Sequence, residues 1–207
     1  LDKGEAVMRR RLILAAPLVL GACSVLDRPY VEPRRYPLSP RRAGPPARRT
    51  ARRTLLMRIT RAAPGMDSKL LRSLRPDGTE AVEYYAEWTA PPAEAAEESL
   101  RRWLVDAGLF TAVLAPGTRG QADLLLETEL AALHVDLGRG VAVASMTAVL
   151  LRDTSQFGTR VVGQFAESAT VPVPPERPLG PDAQAAGMVA ALAAVLGRLE
   201  ADLARHA

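Results

Sequence analysis

The sequence predicts an α+β fold: a mostly antiparallel sheet with two helices packed on one face. Three observations predict it. Two long segments, Asp123 to Asp136 and Val141 to Asp153, flank the turn Leu137-Gly138-Arg139-Gly140. The first of them sets Leu124, Leu126, Thr128, Leu130 and Ala132 against Glu127, Glu129 and Ala131, the period-two pattern of a hairpin with one buried face. Two other segments repeat apolar residues at three- and four-residue steps, as amphipathic helices do. The order is strands, helix, strands, helix, which places both helices on the same sheet.

The chain begins with a different kind of segment. Residues 1–7 precede a natural start at Met8, and Arg9, Arg10 and Arg11 open a short apolar run from Leu12 to Leu20. That run is far short of the roughly 20 residues that cross a bilayer, and Pro17 interrupts it. A basic start, an apolar stretch and small residues before a cut read as a secretory leader covering residues 1–22. Leu20-Gly21-Ala22-Cys23 resembles the bacterial lipobox. The resemblance implies cleavage before Cys23, a lipid on its sulfur and an acylated new amino group, so Leu20, Gly21 and Ala22 mark the cleavage site and Cys23 the lipidation site. Cys23 is the single cysteine, which leaves no internal disulfide to explain it. More than one acyl chain gives stable anchoring. By resemblance to lipoprotein sorting in Gram-negative bacteria, Ser24 points to the periplasmic face of the outer membrane.

Residues 23–53 read as a tether rich in proline and arginine, with PRRYPLSPRRAGPPARR at its centre. Residues 24–53 carry nine arginines against Asp27 and Glu32, a net of +7, whereas residues 54–207 carry a net of −5. Such a segment buries too little apolar surface to offset its ordering entropy. Its arginines suit anionic lipid headgroups, and export excludes nucleic acid as the partner of this basic arm. Tyr36-Pro37-Leu38 reads either as plain linker or as a short edge strand with Tyr36 and Leu38 on one face.

The folded body is expected at residues 54–207. Leu55 to Ile59 reads as a strand, stopped by Ala63-Pro64-Gly65. Leu70 to Leu74 and Ala81 to Tyr85 are short strands joined by the turn Arg75-Pro76-Asp77-Gly78. Pro91-Pro92 then opens a helix, since the first turn tolerates proline. Glu94, Glu97 and Glu98 precede Arg101 and Arg102, as the helix dipole favours. Ala93, Ala96, Leu100, Trp103, Leu104 and Ala107 share its apolar face, and Gly108 ends it. Leu109 to Leu114 is a short strand. A third long strand, Arg160 to Val171, follows the hairpin, and prolines 172 to 181 form a stiff connector. The last helix carries Ala185, Met188, Val189, Leu192, Val195, Leu196, Leu199 and Leu203 on one side, with Asp182 near its start.

A catalytic set is not apparent. His134 and Asp136 share one face of a strand opposite Ser145, yet no G-x-S-x-G elbow exposes that serine, and they read as a polar pair on a sheet face. His206 reads as part of a frayed terminus. The single thiol is assigned to lipid, so no metal site and no cofactor is expected, and the chain reads as a non-enzyme. Aromatic residues make up 4% of the chain, yet Tyr84, Tyr85 and Trp88 cluster before the first helix. They read either as a core edge, with Trp88 packed on the helix, or as a docking patch.

In this order the motifs resemble the ABC-type transport auxiliary lipoprotein family, the outer-membrane lipoproteins that accompany Pqi- and MCE-type lipid transporters. The matching residues are the lipobox ending at Cys23, Tyr36-Pro37-Leu38, Leu55 to Ile59, and Tyr84-Tyr85-Ala86-Glu87-Trp88 with Pro91-Pro92. Gly108-Leu109-Phe110, the long hairpin and the C-terminal helix complete them. The resemblance implies a periplasmic, lipid-anchored auxiliary component that docks an MCE-type substrate-binding protein and a permease and ATPase complex. Tyr36, Leu38, Tyr84, Tyr85 and Trp88 are its candidate docking residues, and a homo-oligomer is compatible with it. The alternative is an envelope structural or assembly lipoprotein that supports outer-membrane biogenesis or secretion.

Overall fold

The computed structural model describes residues 30–46, 51–154, 158–176 and 178–207. The leader and its lipobox, Leu20 to Cys23, lie outside the described residues. The elements are β1 (Arg34–Tyr36), β2 (Thr54–Met57), β3 (Arg61–Ala62), β4 (Leu70–Leu74), β5 (Glu80–Trp88), α1 (Pro92–Ala107), β6 (Ala112–Leu114), β7 (Leu124–Asp136), β8 (Val141–Thr154), β9 (Gly158–Pro172) and α2 (Pro181–Leu203). Both helices take proline in the first turn, and Gly108 closes α1 with φ 65°, its N–H on the Val105 carbonyl.

β7 is the axis of the sheet. On one side it pairs antiparallel with β8 from Leu125↔Leu151 to Asp136↔Val141, and β8 continues to β9. On its other side lie β2, β3 and β4 in succession, all parallel to it. Residues 54–74 thus run along β7 as one interrupted strand. β6 joins the far edge of β2 in parallel, β5 joins β4 antiparallel, and β1 joins β5 in parallel. The α+β class and the two helices on one face are as expected. The sheet, however, is mixed: its long pairings are antiparallel and its short ones mostly parallel. The reason is the crossover through α1, which returns the chain to the start of β2 and forces β6 to run in the same direction.

The expected alternation holds on β7 as far as Leu130. There the pairing register shifts by one residue before Ala132. The inward row continues as Leu133 and Val135 instead of Ala132, because one extra residue in a strand switches which face the following side chains meet. The strand expected from Leu109 begins at Ala112, and Leu109 and Phe110 pack into the core ahead of it.

α1 and α2 touch each other on the inner face, α2 over β8 and β9, α1 over β6 and β7. The inward row of β8 is Ala142, Ala144, Met146, Ala148 and Leu150, small enough at three positions to let a helix come close. Gly187 sits at the nearest approach. A Cβ there would lie 2.7 Å from Val173 Cγ1 and 3.1 Å from Ala142 Cβ. Gly187→Val is therefore expected to destabilise the fold by about 2 kcal/mol through overpacking, read as a lowered midpoint in chemical denaturation.

The compact unit runs from Pro33 to Ala207. The boundary expected between residues 53 and 54 is thus too late, since residues 33–46 pack on the body. β1 takes the edge of β5 with Tyr36 opposite Trp88, and Pro37, having no N–H to donate, ends it. The terminus is not frayed either. The His206 ring lies 5.9 Å from that of Phe165, and its carbonyl accepts a hydrogen bond from Arg53.

Candidate docking surface

β5 carries an irregularity that shapes its surface. Leu70 of β4 faces Glu87, and Leu71 faces Glu83, so one step on β4 spans four on β5. Tyr84, Tyr85 and Ala86 are the surplus. Ala86 turns inward at 2% exposure, whereas Tyr84 and Tyr85 stand 77% and 59% exposed. Consecutive residues of a regular strand face opposite ways; the bulge breaks that rule and turns two neighbouring rings outward. Beside them Arg35 Nε donates to Glu87 Oε1 at 2.8 Å. Exposed aromatics beside a paired charge have the make-up of an interface centre with a polar edge.

The five candidate docking residues divide. Tyr84 and Tyr85 are on the surface. Trp88 and Leu38 are 2% and 3% exposed and belong to the core, which corrects their reading as surface contacts. Trp88 is inward because it resumes the strand alternation after the bulge. Tyr36 is half-buried; its hydroxyl donates to Asp182 Oδ1 at 2.9 Å, and the Arg34 guanidinium lies 5.6 Å above its ring. Ile59 was missed by the sequence reading. It stands where β2 has stopped pairing, 73% exposed, on a cavity of about 470 Å³ that Arg58, Arg61 and Glu127 also line.

The segment after β1 crosses α1 and α2 as a strap. Ser99 of α1 donates to the Leu38 carbonyl at 2.9 Å, and Arg102 donates to Ser39 Oγ at 3.1 Å. Further on, Arg42 grips Glu200 of α2 with two hydrogen bonds, Nε at 2.9 Å and Nη2 at 2.8 Å. The Trp103 indole N–H of α1 donates to the same carboxylate at 2.7 Å. Arg42 holds the Glu200 carboxyl below the usual carboxylate range, with Trp103 adding to the effect against the opposing influence of burial. Arg34 and Arg35 pair with Asp182 and Glu87. The three arginines Arg34, Arg35 and Arg42 were expected to face lipid headgroups. They face carboxylates of the acidic body instead, because the two oppositely charged halves of the chain lie within ion-pair reach.

A second polar cluster ties α2 to the sheet. Gln184, 2% exposed, accepts from Ser73 Oγ at 2.9 Å and donates to Glu83 Oε1 at 3.0 Å and to the Leu179 carbonyl at 2.9 Å. The cluster is fully paired and serves packing.

His134, Asp136 and Ser145 do not form a relay. Ser145 faces Ala132 and His134 faces Val143. Ser145 Oγ donates to the Glu167 carbonyl at 3.2 Å, and Asp136 Oδ1 accepts the Arg139 N–H at 2.9 Å. Burial, and secondarily the Arg72 charge, push the His134 imidazole below its ordinary value. Among the described residues no group of three His, Cys, Asp or Glu could hold a metal ion, and no helix is long and apolar enough to cross a membrane.

No family model and no curated protein matches the chain. Solved structures do match it. The crystal structure of a Xanthomonas campestris protein under the family model DUF330 superimposes with a TM-score of 0.67 at 23% identity, covering 83% of this chain and 95% of that one. A second crystal structure, of an uncharacterised protein, gives a TM-score of 0.59 at 15% identity, covering 84% of this chain and 98% of that one. Helices, mixed sheet and hairpin together thus make up a fold that this chain shares with a DUF330 protein over nearly that protein's whole length.

Proposed function

We propose that the protein is a lipid-anchored envelope adaptor, held at the outer membrane through Cys23 and docking an MCE-type component of an ABC-type lipid transporter. The observation that carries the docking role is the Tyr84–Tyr85 pair, two exposed rings on a bulge that lies between Glu83, paired with β4, and Ala86, paired with β1. A tyrosine side chain has few rotatable bonds and loses little conformational entropy on binding, which is what makes such residues energetic centres of interfaces. The anchor rests on the lipobox, the transporter link on the resemblance in motif order, and the fold of the body is one it shares with a DUF330 protein. The body then works by position: the lipid fixes where it is, and the tyrosines select what it holds.

Two measurements test this. Cys23→Ala is expected to move the protein from the membrane to the soluble fraction of the envelope, since acyl chains supply the anchoring free energy. Tyr84→Ala combined with Tyr85→Ala is expected to abolish recovery of the MCE-type protein in pull-downs of the anchored form, with the fold intact by circular dichroism. Membrane attachment that survives loss of Cys23 would overturn the anchor. Recovery of secretion-machine components in place of an MCE-type protein would overturn the transport reading.

A further inference from the structure

We infer that the open face of the sheet is where two copies of this chain meet. Both helices cover the inner face, and α2 is the helix on β8 and β9. The outer face of these two strands has an unusual composition. On β8 the odd positions from Val141 to Leu151 are valine, serine, threonine or leucine. The positions paired with them on β9, from Val161 through Ala166 to Pro172, add glutamine, alanine, serine and threonine. None is charged, in a chain with 24% charged residues. Solvated sheet faces are normally lined with charged and polar side chains. An uncharged centre is what distinguishes an interface from ordinary surface.

The border of this face is equally informative. Along β7 the outward row meets ion pairs of both signs, Arg58 with Glu127 at 3.7 Å and Arg61 with Glu129 at 3.2 Å. Charge is thus balanced at the rim and absent from the centre, so a two-fold axis through the face sets no block of like charge against itself. The odd positions of β8 extend over about 34 Å, and two strands span about 10 Å, a flat footprint of roughly 340 Å². With the β7 row as a third strand it reaches roughly 500 Å² per partner, about 1,000 Å² in all, the low end for a specific interface. Two such faces stack as the sheets of a sandwich do, each presenting the same patch to the other. An anionic membrane is the poorer occupant, because the face offers no lysine or arginine at its centre.

The test uses the full chain in mild detergent with empty micelles in excess, its protein mass followed by sedimentation velocity up to about 100 µM. The expected mass is that of two chains. Thr147→Arg at the centre of β8, and separately Ala166→Arg at an exposed position on β9, are each expected to weaken self-association at least tenfold by setting like charges against each other. Tyr84→Ala, on the bulge, is expected to leave it unchanged, which separates this face from the adaptor's docking patch. A single-chain mass for the unaltered protein at the highest concentration would overturn the inference. So would association that persists in both arginine variants.

Discussion

Trp88→Ala is expected to cost about 4 kcal/mol of folding stability, the typical loss for a large aromatic removed from a packed interior. The indole is 2% exposed. It lies where three segments converge: β5 itself, β1 through the pairing with Tyr36, and the start of β4 through its own N–H on the Lys69 carbonyl at 2.7 Å. Truncation leaves a cavity in the core on the strand that β1 pairs with. Tyr84→Ala and Tyr85→Ala, a few residues away on the same strand, are expected to change stability by under about 0.5 kcal/mol, as exposed positions generally do. Guanidinium denaturation distinguishes the two groups, and Trp103, the one other tryptophan, reports the transition by fluorescence. The opposite pattern, with Trp88→Ala harmless and the tyrosines costly, would contradict the inward placement of Trp88.

Glu200→Ala carries the second large effect. It strips Arg42 of both its carboxylate bonds and the Trp103 N–H of its acceptor. The two charged side chains are only 11% and 20% exposed, so water replaces the lost partners poorly. A loss of about 2 kcal/mol is expected, because Arg42 loses its counter-charge and keeps only the Gly44 and Pro45 carbonyls, through Nη1, while the indole N–H is left without its acceptor. Arg42→Ala is expected to cost less, since Glu200 then keeps the indole and lies nearer solvent. The pH dependence follows from the depressed Glu200 carboxyl. A carboxyl held lower in the folded than in the unfolded chain stabilises fully above its unfolded value near 4.3, and that stability is lost as pH falls through the folded value. Stability should therefore decline below about pH 4.3 in the native protein, and the part due to this carboxyl should be missing in Glu200→Gln. The two denaturation series, run from neutral to acid, check this by the difference between their slopes.

The Glu200 cluster also shows how far the sequence reached. The charge split between residues 24–53 and residues 54–207 was plain in the composition. It suggested a basic arm reaching for something acidic outside the chain. For Arg34, Arg35 and Arg42 the acidic group is within the chain, on Glu87, Asp182 and Glu200. A count of charges cannot distinguish these, because Arg42 and Glu200 are 158 residues apart and only the folded chain brings them together.

What the sequence by itself determined was local. The helix from Pro92 to Ala107 followed from prolines at its start, apolar residues at helical spacing and Gly108 at its end. The β7–β8 hairpin followed from two alternating runs about a glycine-bearing turn. Each signal lies within a few residues of what it specifies, where backbone sterics and side-chain periodicity act directly. What only the tertiary structure decided was which edges meet and where the registers slip. The parallel pairing of β2, β3 and β4 along β7 depends on contacts between distant segments, which no local pattern encodes. The surplus residues at Ala131 on β7 and at Tyr84 to Ala86 on β5 redirect every side chain that follows without changing the composition at all. That is why Trp88 could be read from its neighbours as surface or core, and why its place was settled only when the strand on either side of it was paired.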